Sequence, residues 1–182
     1  MNILDTPLEG VKIVLPDVYS DARGYFFESY NREKMMKSGI GNIFIQDNES
    51  LSSYGVVRGL HYQLEPFSQA KLVRVVSGAV FDVALDLRKG SPTFGRWYGI
   101  ILSGENKRQL YIPKGFAHGF SVLSPTAVFF YKCDNQYNKL SERSIRFNDP
   151  YLNIDWKISA EQQIVSDKDM VAPLFSEAEI NF

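Results

Sequence analysis

Residues 79–87 read "AVFDVALDL", and the period of two in this stretch decides the fold. Phe81, Val83, Leu85 and Leu87 fall on one face, and Val80, Asp82, Ala84 and Asp86 on the other. That is the pattern of a strand with its core on one side and a mixed surface on the other. Runs of the same kind lie on both sides: "GVKIVL" (10–15), "NIFIQDN" (42–48), "KLVRVV" (71–76), "RWYGIIL" (96–102) and "TAVFFYKC" (126–133). Turn signals separate them, among them Ser77-Gly78, Lys89-Gly90-Ser91-Pro92 and Ser103-Gly104-Glu105-Asn106. Many short strands so spaced predict an all-β sandwich or barrel rather than βαβ units. Helix is confined to short peripheral pieces: "NREKMMKSG", starting near Asn31 and stopping at Gly39, and a turn in "SAEQQ" capped by Ser159.

With 182 residues, 45% of them hydrophobic, the chain can bury a sizeable core and is read as one domain, 1–182, with N- and C-terminal extensions. Its 20 basic and 21 acidic residues give a net charge of −1, with no basic stripe for nucleic acid. The single cysteine, Cys133, excludes a disulfide framework. The first residues lack the pattern of a signal peptide, and no apolar run approaches the roughly 20 residues that span a bilayer. A cytoplasmic protein without membrane or nucleic-acid partners is the expectation.

Chemistry concentrates in "GVVRGLHYQ" (55–63), which holds one of only two histidines. Strict alternation puts Val57, Gly59, His61 and Gln63 on one face and Arg58 on the other. A bulge at Gly59 would turn Arg58 and His61 to the same side. The second histidine, His118, follows a turn at Pro113 and Gly115 in "IPKGFAHGF". Metal-binding barrels of the cupin kind offer His-x-His, but Gln63 stands two residues after His61, so no metal is expected. Gln46 and Asn48 share a face of "IQDN"; Lys71 starts a strand; Phe129, Tyr131 and Cys133 share a face; Tyr137 is a loop aromatic able to stack on a planar ligand. Arg23, Phe26 and Glu28 flank a turn at Gly24, and Asp167 and Asp169 lie in "VSDKDMVAP", which reads by default as a solvated acidic turn.

In this order, "DARGYFFESYN", "FIQDN", "VVRGLHYQ", "KLVRVVSGAVFDVALDLRKGSPTFG", "LSGENKRQLYIPKGFAHGF", "FFYKCDNQY" and "SDKDMVAPL" resemble one family, the dTDP-4-dehydrorhamnose 3,5-epimerases of dTDP-L-rhamnose synthesis. The resemblance implies a cupin-like jelly roll or β-sandwich and a homodimer with exchanged N-terminal strands, using no metal or cofactor. It implies a dTDP-4-keto-6-deoxyhexose substrate, deprotonated beside the C4 ketone at C3 and C5 and reprotonated from the opposite face. His61 matches the family's base, and Asp169, in preference to Asp167, the carboxylate that orients it. Lys71 matches the cation at the ketone oxygen and Tyr131 the acid, so His61 and Tyr131 should face each other across the sugar. Arg23 and Arg58 match diphosphate contacts. Phe26, Glu28, Gln46, Asp47 and Asn48 match substrate-binding positions, as do His118, Glu142 and Lys168, and Tyr137 matches the aromatic that stacks on thymine. Arg23 and Glu28 are expected to reach a partner's site. The alternatives are an epimerase of C3 or C5 alone, a 3,4-ketoisomerase, a metal-dependent cupin oxygenase or a non-catalytic sugar-nucleotide binder. The intact set His61, Tyr131, Lys71 and Asp169 speaks against a mere binder, which needs no acid–base pair.

Overall fold

The computed structural model describes residues 1–182 and contains fourteen strands. In chain order they are β1 (Asn2–Asp5), β2 (Lys12–Leu15), β3 (Val18–Asp21), β4 (Gly24–Phe27), β5 (Gln46–Ser53), β6 (Val56–Gln63) and β7 (Lys71–Ser77). There follow β8 (Ala79–Asp86), β9 (Trp97–Ser103), β10 (Gln109–Ile112), β11 (Phe116–Val122), β12 (Thr126–Cys133), β13 (Glu142–Ser144) and β14 (Ile164–Val165). Two helices, α1 (Arg32–Lys37) and α2 (Asp167–Met170), complete the regular structure with two single 3₁₀ turns. One sheet runs β1-β2-β10-β7-β12-β5 and the other β13-β6-β11-β8-β9, with β14 added beside β6; β3 and β4 form a separate hairpin. This is the all-β sandwich with short peripheral helices expected from the alternation. No helix is long and apolar enough to cross a membrane.

Between the sheets, Val73, Val75, Leu110, Ile112 and Phe129 of one meet Val80, Ala84, Phe116, Phe120 and Val122 of the other, all nearly inaccessible. A second core covers the outer face of the β6–β11–β8 sheet. There Phe81, Val83, Leu85 and Leu87 pack on Ile145, Phe147, Leu152 and Trp156 of the C-terminal segment. A third, under α1, joins Met35 and Ile40 to Val14, Leu72 and Tyr111.

Strand β8 therefore differs from the expectation of one solvated face: both its faces are buried. The acids on its inner face are each paired, although one oxygen of Asp82, Oδ1, is buried without a hydrogen-bond partner. Asp82 Oδ2 lies 2.9 Å from His118 Nε2. Asp86 accepts from the Arg88 fork and from the hydroxyls of Ser91 and Thr93. In "NIFIQDN" only the last three residues are strand, since β5 begins at Gln46. Helix α1 starts as expected, with the Asn31 side chain accepting from the Lys34 N–H. Ser159 does precede a 3₁₀ turn, Ala160–Gln162, but its side chain makes no capping bond.

Candidate active site

The bulge foreseen at Gly59 is present, and it reverses the alternation beyond it. His118 pairs with His61 but Phe120 with Arg58, so Gly59 and Leu60 together oppose Gly119. As a result Val57, Leu60 and Tyr62 face the outer core, while Arg58 and His61 line one interior cavity. The grouping of Val57 and Gly59 with His61 on one face is thus incorrect; one extra residue shifts the period by a side. Two glycines make the crossing possible. A Cβ on Gly59, at φ +122°, would stand 2.6 Å from Gly119 Cα, and one on Gly119 would stand 2.7 Å from the Arg58 carbonyl oxygen.

His61 projects from this strand to Asp169, its Nε2 2.6 Å from Oδ1. Asp169 sits in α2, where Ser166 caps the helix by accepting from the Asp169 N–H. The other Asp169 oxygen accepts from the Gly59 N–H at 3.3 Å. Burial pushes the Asp169 carboxyl up, but the His61 ring, the Gly59 N–H and Ser166 outweigh it and hold the carboxyl below its ordinary value. Asp167 is exposed and carries no such bond. The imidazole remains about one-third exposed, its side chain at 35% against 4% for Asp169.

The opposite wall comes from the other sheet. Lys71 opens β7, and its neighbour in the ladder is Cys133 of β12; Tyr131 stands two residues earlier on the same inward face. The Lys71 ammonium lies 5.9 Å from the centre of the Tyr131 ring. Burial lowers the Lys71 pKa and raises that of Tyr131, so the phenol keeps its proton at neutral pH. Beside Tyr131 and Cys133 in the ladder stand Asn48 and Gln46 respectively, and the Gln46 amide Nε2 donates to Asn48 Oδ1 at 2.9 Å.

Two adjoining cavities meet here. One, of about 390 Å³, holds Gln46, Gln63, Tyr137 and Glu142; the other, of about 430 Å³, holds Asp47, Arg58 and His118. His61, Lys71, Asn48 and Tyr131 line both. Arg58 is braced on the Ser52 hydroxyl through Nε and Nη2, each at 3.1 Å, and Asp47 pairs with Lys132 at 2.9 Å. At the mouth the Tyr137 hydroxyl donates to Glu142 Oε2 at 3.0 Å, and Lys168 Nζ lies 2.7 Å from Glu142 Oε1. Burial alone would raise the Glu142 carboxyl, but these two partners hold it below its usual range.

The structure thus gathers His61, Lys71, Tyr131, Asp169, Gln46, Asp47, Asn48, Arg58, His118, Tyr137, Glu142 and Lys168 around one space. It does not bring Arg23, Phe26 and Glu28 there. Arg23 pairs with Asp21 at 2.6 Å on the β3–β4 hairpin, Phe26 is 70% exposed, and Glu28 holds Lys34. No three His, Cys, Asp or Glu side chains converge as metal ligands; each histidine is committed to its own carboxylate. Sequence reasoning missed Ser52, Gln69 and the lining role of Cys133. The alternation of Gln46, Asn48, Ser50 and Ser52 along β5 was the available signal for the first.

A family model described as dTDP-4-dehydrorhamnose 3,5-epimerase matches residues 5–177. The chain is 52% identical over 181 residues to the dTDP-4-dehydrorhamnose 3,5-epimerase of Shigella flexneri, covering 98% of each. Among solved structures, the enzyme of that name from Elizabethkingia anophelis superposes with a TM-score of 0.93 at 56% identity, with 97% of each chain covered. The dTDP-6-deoxy-D-glucose-3,5-epimerase of Legionella pneumophila, solved in complex with dTDP-4-keto-L-rhamnose, gives 0.93 at 53% identity, over 97% of this chain and 93% of that one.

Proposed function

The chain belongs to the dTDP-4-dehydrorhamnose 3,5-epimerase family, and from that premise we propose that His61 and Tyr131 divide the proton transfers between opposite walls of one cavity. As an enzyme of this cupin-like family it converts dTDP-4-dehydro-6-deoxy-D-glucose to dTDP-4-dehydro-L-rhamnose, an isomerisation in dTDP-L-rhamnose synthesis. The observation that carries the division of labour is the placement of an imidazole–carboxylate pair on one sheet and a buried phenol beside an ammonium on the other.

Hydrogens at C3 and C5 are acidic because loss of either leaves an enolate on the C4 oxygen. His61 takes the proton, with Asp169 holding the ring's orientation and stabilising the imidazolium that forms. Lys71 meets the charge developing on the C4 oxygen, where one fixed hydrogen-bond donor is worth roughly 3 kcal/mol. Tyr131 then donates its phenolic proton to the carbon from the other face, which inverts it. Solvent takes the proton from His61 and returns one to Tyr131, and the cycle repeats at the second carbon.

Arg58, His118 and Asp47 on one side, and Gln46, Asn48, Tyr137, Glu142 and Lys168 on the other, are assigned to binding the dTDP-sugar, with a guanidinium fork suited to phosphate oxygens and Tyr137 to the base. We read the chain as one domain whose exposed hairpin is exchanged in a homodimer, so that Arg23, Phe26 and Glu28 complete the partner's site. That reading explains why these three lie outside their own chain's cavity.

The test is incubation of the enzyme with dTDP-4-keto-6-deoxyglucose in D₂O, with deuterium at C3 and C5 followed by NMR. Entry at both positions is expected, and His61→Ala should reduce it by about 10³-fold while dTDP still binds. Full exchange in that variant would remove His61 as the base.

A further inference from the structure

Gln63 has no part in the proton transfers, yet its side chain is buried to 5% exposure two residues beyond His61, and its amide is fully engaged. Nε2 donates to the Phe67 carbonyl at 2.7 Å and to the Gln136 carbonyl at 3.2 Å. Oε1 accepts from the Asn138 N–H at 2.6 Å. The last two groups belong to the peptide units on either side of Tyr137. One planar amide therefore holds the chain just before and just after that residue, and only a side chain with donor and acceptor together can do so.

The loop needs the grip, since residues 134–138 carry no regular structure. Neighbouring amides lace the same two segments. Asn135 Nδ2 donates to the Pro66 and Ser68 carbonyls, and Gln69 Nε2 donates to the Asn135 carbonyl at 2.8 Å. Tyr137 itself is 55% exposed, with its hydroxyl tied to Glu142. Glu142 is the ladder partner of Gln63. Adjacent positions of the sheet that carries His61 thus fix both ends of Tyr137, one at its backbone and one at its hydroxyl.

We propose that Gln63 is a positioning residue for nucleotide recognition: by clamping both peptides flanking Tyr137 it holds that ring as a preformed platform at a set distance from His61. The proposal rests on the reading of Tyr137 as the aromatic that stacks on the base. A platform already ordered binds without the loss of freedom that a swinging ring would suffer.

The test measures dTDP affinity by calorimetry, and KM and kcat for epimerisation, in Gln63→Met, Tyr137→Ala and the double variant. Met keeps the length and removes all three hydrogen bonds. Gln63→Met should raise the dTDP Kd and the KM about tenfold, with kcat falling less than about threefold. Tyr137→Ala should weaken dTDP by about tenfold or more. On that background Gln63→Met should add less than about twofold, because its effect runs through the missing ring. An equal loss in both backgrounds would overturn the proposal, as would a fall in kcat at unchanged KM. Wild-type affinity in Tyr137→Ala would instead sink the reading of Tyr137 itself. Should Gln63→Met not fold, Gln63→Glu serves: it keeps the acceptor for Asn138 but sets a carboxylate oxygen against two carbonyls. It should weaken dTDP at least as much, and unchanged binding would refute the clamp.

Discussion

At the scale of single residues the site is a matter of which group keeps which proton. Burial raises the Tyr131 phenol, so the proposed acid keeps its proton at neutral pH, while the proposed base, His61, stays about one-third exposed to water. Tyr131→Phe should separate the two halves of the reaction. His61 can then return a proton only to the face it came from, so solvent deuterium enters C3 and C5 with retained configuration. Inverted product should fall by about 10³-fold, which NMR of the recovered sugar distinguishes directly. Asp169 governs a second, pH-dependent property. Its folded pKa lies below the ordinary 3.8, so it contributes stability fully above that value, and the contribution is lost as pH falls through the folded value. Urea unfolding of wild type and Asp169→Asn should therefore differ at pH about 7, and the difference should shrink as pH falls below the ordinary carboxylate value of 3.8. A gap that widens in acid would contradict the assignment. At neutral pH the same variant should lower kcat by about 10³-fold, because the imidazole loses the group that orients it.

Among the elements, β6 shows how one irregularity sets the chemistry. Without the two-for-one step at Gly59, residues 58 and 61 would stand on opposite faces, and Arg58 would be lost to the cavity. Gly59→Ala should cost roughly 3 kcal/mol in unfolding free energy and most of the activity, because its Cβ meets backbone at 2.6 and 2.8 Å. Gly41→Ala, where a Cβ meets nothing within 4 Å, should change stability by less than about 0.5 kcal/mol. The strands themselves were legible, since a period of two survives in β7, β8, β9 and β12 whatever lies around them. Which faces are covered was less so. The outer face of β8 is sealed by Ile145, Phe147 and Trp156, about seventy positions away, and its inner aspartates look solvated until His118 and Arg88 are seen beside them. The site followed the same division. His61 and Asp169 were paired through resemblance to a family pattern, because nothing local to either residue points to the other. Gln63 was read for the metal ligand it is not, whereas its partners lie in a loop that no periodicity marks.

For the molecule as a whole, the β3–β4 hairpin stands clear of its own cavity but is not loose. The Lys107 ammonium lies 3.8 Å from the centre of the Tyr25 ring, and the Arg74 guanidinium 5.8 Å from that of Phe27. If this hairpin completes the partner's site, an Arg23→Ala chain and a His61→Ala chain, each inactive alone, should complement one another. Random pairing makes half the dimers hybrid, each with one intact site, so co-refolded mixtures should recover about a quarter of wild-type activity. Recovery at background level would mean that Arg23 does not serve the partner's site, and full activity of Arg23→Ala by itself would place it outside the site altogether. The pairing of His61 with Asp169 across 108 positions has a further consequence, in time rather than in energy. The imidazole, its carboxylate and the facing phenol arrive from three distant parts of the chain, and such a topology closes its loops late, on a scale of milliseconds to seconds. A chain in which any one of these three segments is out of place lacks part of the set, so activity requires all three to have docked.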